Sequence, residues 1–319
     1  MTNLSDRAEL ARAITLIESK RSGDYDTKYE LVQQAAEVGN MSIRIAVTGP
    51  PGVGKSSLIE KLGLIFIKRG YKVAVLAIDP SSAGSGGSIL GDKTRMEKLA
   101  ADPSAYIRPT PAASQAGGVS EFTRETIILC EAGGYDVVMI ETVGVGQGEY
   151  AVQNMSDMVV LVTIPGTGDS LQGIKRGIME TADLILVNKV DAVESGALRS
   201  SISDIRSGLR IARSGDSMPH VKPVSAKTNE GLENVVDVIK NRMEEDKESG
   251  EFARRRQLQK TTWFSDAVDS RLAQLIGDES RLQVARAQLA SLIEKGELDP
   301  VSAAKLYVSA ILRHPFKDV

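Results

Sequence analysis

The chain is poor in the residues that build disulfides and transition-metal centres. Its 319 residues include one cysteine and two histidines. The single thiol, Cys130, excludes an internal disulfide and fits a reducing compartment. It lies in the run Thr126-Ile127-Ile128-Leu129-Cys130, on an expected core-facing helix, where a thiol acts as a small buried hydrophobe. Neither His220 nor His314 has a cysteine or histidine neighbour at ligand spacing, which argues against a zinc or nickel site within one chain. Neither sign of charge dominates. Lysine plus arginine number 39 and aspartate plus glutamate 42, for a net charge of −3. That balance does not suggest a nucleic-acid binder or a membrane-surface protein. No apolar stretch approaches a membrane span, and Met1 to Glu9 is polar, without an apolar signal core. The expectation is a cytoplasmic protein. Repeats and low-complexity tracts are also missing.

Against that background one motif stands out. Gly49-Pro50-Pro51-Gly52-Val53-Gly54-Lys55-Ser56 is a complete G-x-x-x-x-G-K-S loop. The apolar run Ile43 to Val47 before it reads as a buried strand, and Ser57 to Ile67 after it as a helix. This strand–loop–helix setting is the one in which the motif binds a nucleoside triphosphate. Its glycines let several backbone N–H groups point at phosphate oxygens, and the helix N-terminus adds a favourable dipole. Lys55 is expected to neutralise the β- and γ-phosphates and Ser56 to hold Mg²⁺. Ser57 completes the expected phosphate-binding set.

Around the loop, strands alternate with helices. Leu4 to Ser19 and Asp26 to Glu37 read as helices ahead of the first strand, with Leu10, Ile14 and Leu16-Ile17 giving an approximately helical apolar face. Tyr71 to Ile78, Ala105 to Pro109, Asp136 to Ile140, Asp157 to Ile164, Leu184 to Val187 and His220 to Ser225 read as further strands. Ser120 to Ala132 is an expected helix closed by Gly133-Gly134. The alternation predicts an α/β fold, a mostly parallel sheet with helices on both faces. Beyond Glu230 only helices are expected. These are Glu230 to Glu248, a long helix opened by Arg254-Arg255-Arg256 and running through Leu275, Leu282 to Lys295 stopped by Gly296, and one begun by Pro300 that ends at Leu312. The expected organisation is an N-terminal helical extension over 1–40, a nucleotide-binding domain over 41–249 and a C-terminal helical arm over 250–319. Trp263, the sole tryptophan, reads either as a packed residue or as an interface anchor of that arm.

A second cluster of motifs specifies the base. Asn188-Lys189-Val190-Asp191 follows the strand Leu184 to Val187. The Asp191 carboxylate can accept two N–H groups of guanine that adenine does not offer in that arrangement. Asn188 is expected to bond the base edge and the Lys189 stem to cover the ring. Val224-Ser225-Ala226-Lys227 ends the next strand, and the Ala226 N–H is suited to the guanine oxygen. Together these favour GTP over ATP. Glu141, at the end of the strand Asp136 to Ile140, is where such folds place an acid for Mg²⁺, and Gly144 can bring an N–H near the γ-phosphate. Asp79 and Asp92 are further candidates around the metal. Mg²⁺ keeps several waters, so one of these acids is free to act as a base or loop latch. Val145 follows Gly144 where small regulatory GTPases carry a water-orienting glutamine; Gln147 is spaced differently. A site short of such parts is expected to hydrolyse GTP slowly alone and faster when a partner moves a loop.

Several longer segments carry a resemblance. Asp79-Pro80-Ser81-Ser82, Gly86 to Met96 (GGSILGDKTRM), Glu141 to Gln147 (ETVGVGQ) and Leu171 to Gly177 (LQGIKRG) resemble the methylmalonyl-CoA mutase-associated GTPases. That cobalamin-chaperone family was once labelled an amino-acid transport kinase. The likeness runs from Leu10 to the Arg254–Arg256 helix. It implies a three-layer P-loop GTPase of the SIMIBI class, whose relatives load nickel or cobalamin into enzymes, with a C-terminal arm that supports a homodimer. It implies GTP-gated transfer of adenosylcobalamin into a radical mutase, with the mutase, and also an adenosyltransferase, as partners. By the family's motifs Lys55, Asp92, Glu141 and Lys175 are the implied catalytic groups. Ser56, Asp79, Asp92 and Glu141 are the implied metal set. Gly166 to Arg176 is an implied partner-sensing loop with Asp169, Gln172 and Lys175 as its polar groups. Where many members have Gly-Asp-Glu-Leu-Gln, this chain has Gly168-Asp169-Ser170-Leu171-Gln172, which leaves the partner open among acyl-CoA mutases. The chain has no cobalamin-binding Asp-x-His-x-x-Gly segment, so the cofactor is expected on a partner.

Two other classes compete. A kinase for a small molecule or transport protein would need an acceptor pocket and base, and none is evident in the sequence. A nickel-insertion GTPase would need Cys/His ligands, which the lone Cys130 and two scattered histidines do not supply.

Overall fold

Branched aliphatic residues at alternating positions build seven strands, and the alternation is what sorts the core into layers. The computed structural model describes residues 3–19, 21–79, 96–111, 122–142, 152–166, 176–212 and 218–313. The strands are β1 (Ile43–Thr48), β2 (Val73–Asp79), β3 (Ala105–Pro111), β4 (Val137–Glu141), β5 (Met158–Thr163), β6 (Leu184–Val187) and β7 (His220–Pro223). They form one sheet in the order β3-β2-β4-β1-β5-β6-β7, and every pairing is parallel.

The helices of this part are α1 (Arg7–Glu18), α2 (Tyr25–Glu37), α3 (Lys55–Lys68), α4 (Glu97–Ala101), α5 (Thr123–Ala132), α6 (Arg176–Thr181), α7 (Ser195–Ala212) and α8 (Leu232–Glu248). Ile45, Val47, Val75, Met139, Val160 and Leu186 face one side of the sheet and pack with Leu58, Leu62 and Phe66 of α3 and Val235 and Ile239 of α8. Ala46, Leu76, Val138 and Ile140 face the other side and pack with Leu10, Ile14 and Ile17 of α1 and Ile127 and Cys130 of α5. Further along that face, Leu161, Ile185 and Val187 meet Ile178 of α6 and Ile205 and Leu209 of α7. Both faces of a parallel sheet are thereby covered, as its continuous apolar strands require.

The edge of the sheet where strands begin is fastened by three aspartates, each making a two-way clasp. Asp136 donates its N–H to the Lys72 carbonyl at 2.9 Å and accepts the Lys72 N–H at 2.7 Å. Asp157 donates to the Arg44 carbonyl and accepts from the Arg44 N–H, both at 2.8 Å. Asp183 and Val159 repeat the arrangement, again at 2.8 Å both ways. Beside them Arg44 forms a bidentate pair with Glu131 of α5, 2.9 Å and 2.7 Å, and Ser42 donates to the same carboxylate at 2.8 Å. The Glu131 side chain is 7% exposed.

The chain divides into two compact units, Met1–Ala253 and Arg254–Val319. The second holds most of α9 (Glu251–Asp278), with α10 (Ser280–Glu294) and α11 (Pro300–Arg313). Leu282 of α10 and Ala303 of α11 are buried. Asp299 caps α11 by accepting the Val301 and Ser302 N–H groups at 3.0 Å and 2.9 Å, with Pro300 at the first helical position, where its missing donor is harmless.

Element boundaries shift in detail from the sequence expectation. The helix after the phosphate loop begins at Lys55, not Ser57, so Lys55 and Ser56 stand in its first turn. The long C-terminal helix begins at Glu251, ahead of the arginine triplet, and reaches Asp278. The helix expected from Glu230 begins at Leu232, because Gly231 takes φ 75° at its cap.

Candidate functional site

The C-terminal edge of β1 opens directly into the glycine loop. Gly49 has φ 146°, and a Cβ there would lie 2.1 Å from the Val162 carbonyl oxygen of β5. Gly54 has φ 97°, and its Cβ would lie 2.6 Å from the Asn188 side-chain nitrogen. Both positions combine a left-handed backbone with no room for a side chain, so glycine is required at each. The loop is pressed against β5 on one side and the end of β6 on the other.

Lys55 and Ser56 follow at the N-terminus of α3, where backbone N–H groups lack intrahelical partners and attract anions. Lys55 Nζ donates to the Gly49 and Pro50 carbonyls at 2.8 Å and 3.2 Å. Burial pushes the Lys55 pKa below its ordinary value, and the nearby Glu141 charge works in the opposite direction. The Ser56 hydroxyl donates to Glu141 Oε1 at 2.7 Å. Glu141 ends β4, the strand beside β1, so the loop hydroxyl and the strand-end acid meet at adjacent strand ends. These are hard oxygen donors of the type Mg²⁺ prefers.

The second cluster is equally well organised. Asn188 is 1% exposed. Its side-chain nitrogen donates to the Val53 carbonyl at 2.8 Å, and its oxygen accepts the Ala226 N–H at 3.1 Å. The Lys189 ammonium reaches the Gly52 carbonyl at 2.8 Å from a left-handed backbone, φ 64°. The Ser225 hydroxyl donates to Asp191 Oδ1 at 2.6 Å and accepts the Thr228 N–H at 3.1 Å. Lys227 Nζ lies 3.8 Å from Asp191 Oδ2. The Ser225 hydrogen bond is the main cause that holds the Asp191 carboxyl below its ordinary range, with the Lys227 charge adding to it. An ionised, oriented carboxylate at this edge can accept two N–H groups from a base.

Sequence reasoning located Gly49 to Ser57, Glu141, Asn188 to Asp191 and Ser225 to Lys227, and the fold gathers these at one edge of the sheet. It assigned Asn188 and the Ala226 N–H to the base; here they bond each other, and Asn188 also bonds the phosphate loop. The Asn188–Val53 and Ser56–Glu141 bonds were not foreseen. A four-residue motif says nothing about which neighbouring backbone it will meet. Asp79 ends β2, the other neighbour of β4. Asp92, Gly144, Asp169, Gln172 and Lys175, with His314, lie outside the described residues. Cys130 is fully buried, as expected of a small hydrophobe, and burial raises its thiol pKa.

Comparison with known proteins gives the family. The model described as methylmalonyl Co-A mutase-associated GTPase MeaB matches residues 10–280. A probable GTPase of Mycobacterium tuberculosis is 43% identical over 302 residues, covering 94% of this chain and 90% of the relative. GTPase ArgK of Escherichia coli is 42% identical over 261 residues, 81% of this chain and 79% of the relative. The mouse protein named methylmalonic aciduria type A homolog, mitochondrial, is 39% identical over 316 residues, 95% and 76% of the two chains. Among solved structures, one titled LAO/AO transport system kinase superposes with TM-score 0.72 at 32% identity, covering 98% of this chain and 95% of that one. With its P-loop site and these relatives, the chain belongs to the MeaB family of methylmalonyl-CoA mutase-associated GTPases.

Proposed function

We propose that this GTPase is a chaperone of a cobalamin-dependent acyl-CoA mutase, methylmalonyl-CoA mutase first, and that GTP turnover gates delivery and protection of adenosylcobalamin. The observation that carries the reading is the conjunction of a guanine-type nucleotide site with a family match over residues 10–280. Lys55 neutralises the β- and γ-phosphates, the first turn of α3 supplies N–H donors to them, and Asp191 selects guanine. The Ser56 hydroxyl and Glu141 carboxylate, 2.7 Å apart, fit Mg²⁺, with Asp79 and Asp92 as further acids of the set; the metal supplies charge neutralisation on the phosphates. Asp92, Gly144 and Lys175 are assigned by motif.

The working form is a homodimer built through the C-terminal arm. Supporting this, Phe264, Val268 and Leu272 of α9 recur every four residues and are 69%, 39% and 46% exposed, an apolar stripe that a second copy would cover. An adenosyltransferase that hands over the cofactor is a further partner. The setting is cytoplasmic and needs neither nucleic acid nor membrane; no helix of the described residues is long and apolar enough to cross a membrane.

The test is GTP hydrolysis by the purified protein alone and with methylmalonyl-CoA mutase from the same source, with ATP in parallel and Lys55→Ala as blank. GTP-selective stimulation by the mutase is the expected result. Slow GTP turnover indifferent to the mutase would remove this partner and leave the GTPase.

A further inference from the structure

Helix α7 carries a row of arginines that the nucleotide site does not use. Arg199, Arg206 and Arg210 are all exposed. At 100° per residue they fall within about 40° of one another around the helix and span about 17 Å along it. Leu198, Ile202, Ile205 and Leu209 turn a different side of α7 to the core, so the row flanks the buried face and stays open to solvent. Among the described residues none of the three has an ion-pair or hydrogen-bond partner, in contrast to Arg44, Arg69 and Arg108. The helix's own acid, Asp204, points well away from the row by the same periodicity. Arg206 and Arg210 are four residues apart, a like-charge spacing that destabilises an isolated helix. The packing of α7 does not need them. A concentrated positive row on a chain of net charge −3 has its natural complement in a negative surface.

We infer that the Arg199–Arg206–Arg210 face of α7 is a docking surface for an acidic face of the partner protein. The inference rests on the chaperone reading and adds the chemistry of the contact. Arginine suits it because its planar fork can hold a carboxylate with two bonds. The α7 row also lies on the element that follows the base-reading segment Asn188–Asp191, and Ser201 of α7 accepts the Gly166 N–H at 3.0 Å. A partner seated on α7 therefore touches a helix bonded to Gly166, three residues beyond the end of β5.

The test compares the full-length wild type with Arg199→Glu/Arg206→Glu/Arg210→Glu and with the matching triple lysine variant. Binding to methylmalonyl-CoA mutase is measured by calorimetry at about 0.05 M and about 0.5 M salt, the range over which exposed charge pairs are progressively screened. Unchanged basal GTP hydrolysis certifies that the variants fold. The expected result is mutase binding weakened about tenfold or more by the triple reversal at low salt, a smaller gap at high salt, and substantial rescue by lysine. Wild-type binding matched by the triple reversal at both salts overturns the docking surface and leaves the chaperone reading standing. No mutase binding by the wild type overturns both. Retained mutase binding with loss of binding to a short RNA or to phosphatidylserine vesicles overturns the acidic-protein assignment in favour of a phosphate surface.

Discussion

Asn188 holds the Val53 carbonyl of the phosphate loop at 2.8 Å while its other amide atom holds the Ala226 N–H at 3.1 Å. One buried side chain thus ties the part of the site suited to phosphate to the part suited to the base. Removing it is expected to leave two buried backbone groups without this partner, at about 1–3 kcal/mol for each. Asn188→Ala should lower the unfolding free energy by about 2–6 kcal/mol and weaken GTP and GDP together. Urea unfolding and nucleotide titration check this. A variant that loses nucleotide affinity with unchanged stability would show Asn188 to act on the base rather than between the loops.

Asp191 is oriented by Ser225. An amide there still accepts at one atom but donates at the other, so Asp191→Asn should reject the guanine N–H pair and tolerate xanthine, which carries a carbonyl in place of guanine's amino group. GTP affinity should fall about a hundredfold, the loss of about 2.7 kcal/mol, while XTP affinity rises. Competition of both nucleotides against a fluorescent analogue measures the switch. Equal loss of both would mean the variant has merely disturbed the loop.

The buried Lys55 ammonium gives the stability of the protein a defined pH dependence. Its pKa is lowered by burial, so between the folded value and the unfolded 10.5 the unfolded chain binds more protons. Stability rises with pH wherever that holds. The cost of the buried charge is therefore fully present below the lowered value and disappears as pH climbs toward the unfolded one. Nucleotide-free Lys55→Met should lack this rise, and its GTP hydrolysis should drop at least about a hundredfold, as for loss of one preorganised charge-stabilising group. Urea midpoints of both proteins from neutral to alkaline pH, with m-values held equal, read the difference.

The Arg44–Glu131 pair is bidentate and its side chains are 15% and 7% exposed. Breaking one side of such a pair strands a charge. Glu131→Ala should destabilise by about 3–5 kcal/mol, whereas the double replacement Arg44→Met/Glu131→Leu should recover most of that. Thermal unfolding of the two variants decides whether the pair is a source of stability or a specifier of how α5 sits on β1.

The nucleotide site was legible because its signals are local. Gly49, Gly54, Lys55 and Ser56 stand at fixed spacing on one turn, and alternating strands and helices announce a parallel sheet. Cys130 as core and Gly133-Gly134 as a helix stop follow from composition in the same way. The illegible parts depend on long-range meetings. Glu131 follows Cys130 directly and is buried only because Arg44, 87 positions away, arrives beside it. Asn188 reads as a base contact until the fold brings Val53, 135 positions distant, against it. Helix α3 starts at Lys55, two residues ahead of the expected Ser57, since a glycine-rich loop hides where the first helical turn begins.

The clasps made by Asp136, Asp157 and Asp183 amount to a parity check on the register of the strands. Each carboxylate leads one strand and reads the backbone N–H of the strand that must lie next to it, β4 against β2, β5 against β1, β6 against β5. Parallel ladders of valine and isoleucine are nearly interchangeable in what they bury. A strand slipped by one residue along its neighbour would keep most of its apolar area but turn that N–H away and leave the carboxylate facing no donor. The edge farthest from the nucleotide thus proofreads the arrangement on which the nucleotide edge depends.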